Sequence, residues 1–304
     1  MRLSTDAKND IRWWQQNLEQ ASAPVRRPRP KFILTADASN EGWGAFVKNA
    51  QDRSILNETN SHWSLREVDR HINEKELLAI WFGLRALMND FTEGHLLVQS
   101  DNTTAVSYIT NFGGSHSPHC NAIAKSIWEW AIERNVWLSS AFIPGSENVI
   151  ADKKSRIFCD RTEWKLETTV FERIVRYYNR PLEIDLFASR LNAQLPRFVS
   201  WLPDPDAYHV DAFTMTWPDH FYAFPPFSLL HRCLEKVRED AVCGILIAPD
   251  WATQTWFPLL LKLLRRPPMK IPVKQGTLLL PFQAGRDHPL VDRLTLLVCS
   301  VSGK

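Results

Sequence analysis

Apolar and polar positions follow two periods along this chain. Near-continuous apolar runs such as Phe32-Ile-Leu-Thr-Ala36 and Trp43-Gly-Ala-Phe-Val47 predict buried strands at 31–37 and 43–48, with Gly42 and Gly44 at the turn between them. Similar runs predict strands at 95–100 and 136–143. Apolar residues at helical spacing predict helices at 73–90, 102–111, 118–134 and 147–157. Strands alternating with helices from Lys31 to about Cys159 indicate an α/β domain. Residues 1–24 read as a helix with Ile11, Trp14 and Leu18 on one face. Pro24-Val-Arg-Arg-Pro-Arg-Pro30 is too rich in proline to be helical and reads as an extended basic connector. A second α/β segment begins near Pro181. The expected organisation is a helical segment and connector at 1–30, one domain at 31–159, a linker helix at 160–180, and a second domain at 181–304. A length of 304 residues suits two domains at roughly 100–200 residues each.

Composition narrows the classes. With 44% hydrophobic and 23% charged residues, the chain is neither disordered nor collagen-like. No apolar stretch approaches the ~20 residues of a membrane span, so no membrane partner is expected. The first residues hold no signal-peptide core, and five scattered cysteines form no CxxC pair. These features point away from zinc clusters and a disulfide framework and towards an intracellular location, cytoplasm or nucleus. A formal charge of +2 neither requires nor excludes nucleic acid, so binding would rest on local patches such as Arg26, Arg27, Arg29 and Lys31.

The informative residues are four acids at element ends. Asp37 ends the strand Phe32–Thr35-Ala36, and Asp101 ends Leu96-Leu-Val-Gln-Ser100. In α/β sheets ligands gather at such strand ends. Glu76 lies in a helix with Ala79, Ile80 and Leu84 at helical spacing, so it falls along the buried side, where a bare carboxylate is costly unless paired or bound to metal. Asp152 comes early in the helix after the Pro144-Gly145 turn. Singly, each has an ordinary role as a cap, turn residue or ion-pair partner. Together they would repel unless divalent cations joined them. Two Mg²⁺ or Mn²⁺ ions ~3.5–4 Å apart would suit hydrolysis of a phosphodiester.

The motifs around these acids resemble those of the RNase H domain of reverse transcriptases, most closely in DIRS-type retrotransposons. The matching pieces are Thr35-Ala-Asp37-Ala-Ser39 with Gly42-Trp-Gly-Ala45; Ile72-Asn73 with Glu76-Leu-Leu-Ala-Ile80; Ser100-Asp-Asn102; Gly113-Gly114; Ile143-Pro-Gly145 with Asn148; and Ala151-Asp152 with Ser155-Arg156. The resemblance covers residues 31–157. It implies an RNase H-like mixed five-stranded sheet with flanking helices, and Asp37, Glu76, Asp101 and Asp152 as metal-binding carboxylates. The implied substrate is the RNA strand of an RNA–DNA hybrid. Residues 1–30 resemble the segment joining a polymerase thumb to RNase H, so a reverse-transcriptase polymerase domain is an expected partner. No Tyr-x-Asp-Asp polymerase signature is present.

Two departures stand out. Phe142 occupies the place of a family histidine, and Gly113–Pro118 is too short for the family's basic protrusion. His116 and His119 are read as solvated loop residues. Ser39, Asn40 and Asn102 are candidates for contacts to 2′-hydroxyls, with turn or helix capping as the competing role. Arg27, in the basic connector, is a further candidate for nucleic-acid binding. Trp43 and Trp63 are read as packing residues.

Leu182-Glu-Ile-Asp185-Leu-Phe-Ala-Ser189 and Phe221-Tyr-Ala-Phe224-Pro-Pro-Phe227-Ser228 resemble the Rossmann-like adenine-N6 methyltransferase-like domain that follows RNase H in DIRS-type elements. That resemblance makes Asp185 and Phe227 candidate cofactor-binding residues. Phe224 stands where active relatives carry an Asn or Asp acceptor, so use of S-adenosylmethionine is not expected. Trp217, Phe221, Phe227, Trp251 and Trp256 are read mainly as core, with a base-stacking surface as the alternative. The function expected is Mg²⁺-dependent hydrolysis of the RNA strand of hybrids. The alternatives are an inactive nucleic-acid-binding scaffold and a DNA adenine methyltransferase.

Overall fold

The computed structural model describes residues 3–19, 28–158 and 164–304. Helix α1 (Thr5–Asn17), capped by the Ser4 hydroxyl, is shorter than the predicted 1–24. Arg27 and Cys159 lie outside the described residues. The first sheet is built from β1 (Phe32–Ala38), β2 (Gly42–Asn49), β3 (Ile55–His62), β4 (Gly94–Ser100) and β5 (Val136–Phe142). Its helices are α2 (Ile72–Leu87), α3 (Thr103–Thr110), α4 (Pro118–Glu133) and α5 (Val149–Arg156). Strand order is β3-β2-β1-β4-β5. β1, β4 and β5 run parallel, while β2 is antiparallel to both β1 and β3. This is a mixed five-stranded sheet with flanking helices.

The period of two along β1 and β2 assigns the faces. Leu34, Ala36, Ala38, Trp43, Ala45 and Val47 join the core shared with α2 and α4. Thr35, Asp37 and Gly44 point to the other face, where α5 packs. Gly42 and Gly44 are strand residues rather than turn residues. A Cβ on Gly44 would come within 2.4 Å of Lys154 Cβ and 2.7 Å of the α5 backbone, so glycine is what lets the helix lie on the strand.

β3 has no apolar signature and was not among the strands predicted. Its polar side chains are spent on neighbours instead. Asn60 donates to the Lys154 and Ile157 carbonyls at the C-terminus of α5, and Thr59 donates to the Pro203 carbonyl. A strand whose partners are carbonyls leaves no hydrophobic pattern.

The second sheet has order β12-β14-β11-β10-β7 when strands are numbered along the chain. Its strands are β7 (Ile184–Asp185), β10 (Phe221–Ala223), β11 (Cys243–Pro249), β12 (Met269–Pro272) and β14 (Thr295–Ser302). The first three are parallel neighbours, and β14 runs antiparallel to β11 and β12. Two small pairs complete the strands: β6 (Lys165–Leu166) with β13 (Leu278–Leu279), and β8 (Val199–Ser200) with β9 (His209–Val210). Both faces of the sheet are covered. On β11, Leu246 and Ala248 face one core, which takes in α7 (Leu230–Glu239) and α8 (Phe257–Leu263). Ile245 and Ile247 face the other, with α6 (Thr168–Tyr178). The helix expected as a linker is thus α6, and Phe171, Ile174 and Tyr178 bury one of its faces in this core. Trp217, Phe221 and Trp256 are buried, so they pack rather than form a surface.

Candidate active site

Parallel pairing sets the first two acids side by side. Thr35 lies opposite Gln99, so two residues further on Asp37 stands level with Asp101, where β1 and β4 part. Glu76 comes from the first turns of α2, over the same strand ends. One carboxylate oxygen from each of Asp37, Glu76 and Asp101 lies within 4.8 Å of the others. Asp37 and Glu76 are buried, and Asp101 is half-buried.

Asp37 is held from α5. Asn148 Nδ2 donates to its Oδ1 at 2.9 Å, and Ser155 Oγ donates to its Oδ2 at 2.6 Å. Asn148 and Ser155 are seven residues apart, so they share the helix face turned to the sheet, and both are fully buried. In the sequence both residues sit in the motifs on either side of Asp152, where neither residue type marks a role. Their spacing around Asp152 was the available signal.

The electrostatics follow from this packing. Burial pushes the Asp37 carboxyl above its ordinary value, the Ser155 hydrogen bond opposes that, and the charges of Asp101 and Asp152 add to it. Glu76 is pushed up to about 9, first by burial and then by Asp37 and Asp101. Its Oε2 is buried with no hydrogen-bond partner. An orphaned acceptor beside two further carboxylates is a site short of positive charge.

Asp152 lies in the first turn of α5, close enough to raise Asp37 but outside the cluster of three. Its Oδ1 accepts from Arg156 Nε at 2.8 Å in an i, i+4 ion pair. Three of the four predicted acids therefore cluster at the carboxyl ends of β1 and β4, and the fourth, Asp152, lies nearby in an ion pair with Arg156.

The other candidates differ. Ser39 is buried and committed to the protein: its hydroxyl donates to the Ser155 carbonyl at 2.6 Å and accepts from the Glu41 and Gly42 amides. It serves the turn and the α5 contact, the capping role that competes with a substrate contact. Asn102 caps α3 through Oδ1 and donates from Nδ2 to Asn73. Asn40 is exposed beside the site. Trp43 and Trp63 are buried, and Trp63 Nε1 donates to the Ser39 carbonyl.

Beyond Asn73 opens a groove of about 560 Å³, lined among others by His71, Thr103, Thr104, His116 and Ser117. His71, Asn102 and Ser117 cap the starts of α2, α3 and α4, so three helix N-termini face this groove. His71 had no role in the sequence reading. It caps α2 by accepting from the Asn73 amide, an unusual residue for that place.

The methyltransferase candidates are both engaged within the protein, Asp185 buried and Phe227 half-buried. The Asp185 carboxyl is wholly buried, pushed up to about 7 by that burial, and accepts from the Gln194 and Phe187 amides. Phe227 packs edge-on against Trp251, with ring centroids 5.3 Å apart.

No known protein-family profile matches the chain. It is 26% identical over 148 residues to the enzymatic polyprotein of cassava vein mosaic virus, covering 47% of this chain and 22% of that one. It is 27% identical over 154 residues to the enzymatic polyprotein of cauliflower mosaic virus (strain D/H), covering 46% and 21%. Among solved structures, the N-terminal RNase H domain of a Mycobacterium tuberculosis protein aligns over 41% of this chain and 90% of that one, at 19% identity and a TM-score of 0.36. The prototype foamy virus protease-reverse transcriptase aligns over 46% and 19%, at 16% identity and a TM-score of 0.27. The chain is therefore similar, over just under half its length, to viral enzymatic polyproteins, and the match spans about a fifth of theirs.

Proposed function

We propose that residues 31–157 form a retroelement-type ribonuclease H that hydrolyses the RNA strand of RNA–DNA hybrids with two divalent ions, Mg²⁺ or Mn²⁺. The observation that carries this reading is the cluster of Asp37, Glu76 and Asp101, with the unpartnered Glu76 Oε2 at its buried end. Hard carboxylate oxygens in that arrangement fit Mg²⁺ or Mn²⁺. Asp37, Glu76 and Asp101 would hold the cations, with Asp152 joining once it leaves Arg156. When bound, such ions offset the carboxylate charge, favour ionisation of an attacking water and stabilise the leaving oxygen.

The chain's own residues supply the rest. Asn148 and Ser155 fix both oxygens of Asp37, so its orientation is set before substrate arrives. Asn73 and Asn102, joined by a hydrogen bond, form a polar bridge from the acids to the groove. The helix starts there carry partial positive charge suited to a phosphate backbone. Exposed Asn40 stands on the other flank and keeps its candidacy as a hybrid contact.

The direct test is a labelled RNA–DNA hybrid incubated with the chain and Mg²⁺. Cleavage confined to the RNA strand, lost with EDTA and lost in Asp37→Asn, is expected. Cleavage that survives Asp37→Asn would refute the reading. A polymerase domain added in trans is expected to lower the hybrid concentration needed.

A further inference from the structure

In sheets of parallel strands with both faces covered, ligands lie beyond the carboxyl ends of the strands, against the loop after the first one. In the second sheet that loop follows β7. The space there is about 10 Å³, room for at most one water. It is bounded by Asp185 and Tyr222 of the sheet, by Phe224 just after β10, and by Trp164, Lys165 and Leu166 around β6. β6 is fastened across the loop: Lys165 Nζ donates to the Ala193 carbonyl at 2.9 Å, and Gln194 Nε2 donates to the Leu166 carbonyl at 2.7 Å. The residues present do not fit a nucleoside methyl donor.

The loop is occupied elsewhere. Arg190, whose side chain is only 8% exposed, forms a two-pronged ion pair with Glu67: Nη1 to Oε1 at 3.0 Å and Nη2 to Oε2 at 2.9 Å. Nη2 also donates to the His62 carbonyl, and the guanidinium lies 4.5 Å above the Phe82 ring of α2. Glu67 in turn accepts from the Ser64 amide and shapes the turn between β3 and α2. Two further contacts follow the same seam, Thr59 with the Pro203 carbonyl and Arg85 with Asp206 at 2.8 Å. Phe82 packs on Trp43 and Trp63, and Trp63 holds the carbonyl of Ser39, two residues after Asp37.

We propose that the loop after β7 is a clamp on the first half instead of a cofactor loop, with Arg190 as its bolt. The second half then acts as a fixed buttress for the β3–α2 side of the carboxylate site, and Arg190 is a positioning residue for it.

Hydrogen exchange on the full chain tests this without reference to nuclease activity. Arg190→Lys keeps the charge but loses the fork. Exchange at amides 59–67 and 76–84 is expected to speed up by about tenfold or more, because a buried carboxylate loses its matched partner. Arg190→Met with Glu67→Met replaces the pair by apolar groups of similar size and is expected to regain most of the protection. Wild-type protection in Arg190→Lys would overturn the proposal. So would saturable binding of S-adenosylmethionine to the full chain in calorimetry, because the loop would then serve a ligand. Loss of hybrid cleavage is not a readout here, so failure of the nuclease reading is seen separately.

Discussion

Replacing Glu76 by Gln is expected to stabilise the metal-free protein at alkaline pH while abolishing cleavage. The Glu76 carboxyl moves from an ordinary 4.5 to about 9 on folding. The folded state therefore holds a proton that the unfolded chain has released. The stability this contributes is complete below 4.5 and is lost as pH rises towards 9. At about 1.36 kcal/mol per pH unit, the cost at pH 8 approaches about 5 kcal/mol if the site stays dry. Local relaxation and the half-exposed side of Asp101 reduce it to about 2–3 kcal/mol. A neutral amide removes the cost. At roughly 2–4 °C per kcal/mol, Glu76→Gln should melt some 5–10 °C above wild type in EDTA at pH 8, with the gap closing by pH 5. Saturating Mg²⁺ should close most of the gap, since ligand at a hundred times Kd adds about 2.7 kcal/mol to a fold that binds it, about the size of the cost the amide removes. Calorimetric melts at two pH values, with and without Mg²⁺, decide the matter. A Gln variant that melts at or below wild type in EDTA at pH 8 would refute the reasoning.

Three further outcomes follow from the same geometry. Gly44→Ala places a methyl within 2.4 Å of Lys154 Cβ and should cost about 2–3 kcal/mol, read by urea unfolding, with cleavage lost as α5 is displaced. Ser155→Ala leaves Asp37 Oδ2 without its hydroxyl donor, and should cost about 1–2 kcal/mol while raising the Mg²⁺ concentration for half-maximal cleavage. Arg156→Gln frees Asp152 from its ion pair, and should lower that Mg²⁺ concentration about twofold, as suits an exposed i, i+4 pair; an unchanged or higher requirement would count against the idea that Arg156 holds the fourth acid aside.

The first half was legible where burial wrote the pattern. β1, β2, β4 and β5 are apolar runs because at least one face of each meets the core. The three clustered acids stood out because each interrupts or ends such a run. β3 was silent because its side chains bond carbonyls of α5 and of the second half, contacts without periodicity. Gly42 and Gly44 were read as turn residues because glycine ordinarily marks a turn. Their true cause, a helix backbone lying on the strand, is a tertiary fact. Ser39 and Asp185 are alike in another way: each stands beside a motif that draws it to a ligand on paper, and in the fold each bonds nearby backbone groups. Arg190 carried no signal at all, because its partner Glu67 lies 123 residues away in the chain.

One helix of eight residues, α5, with its N-cap residue Asn148, carries the fourth acid and both clamps on the first. A segment that short does not hold its shape alone in water. The carboxylate site therefore has a built-in order of arrival during synthesis. Until about residue 157 has left the ribosome and settled on Gly44, a nascent chain has its three clustered acids without the two groups that hold Asp37 in place.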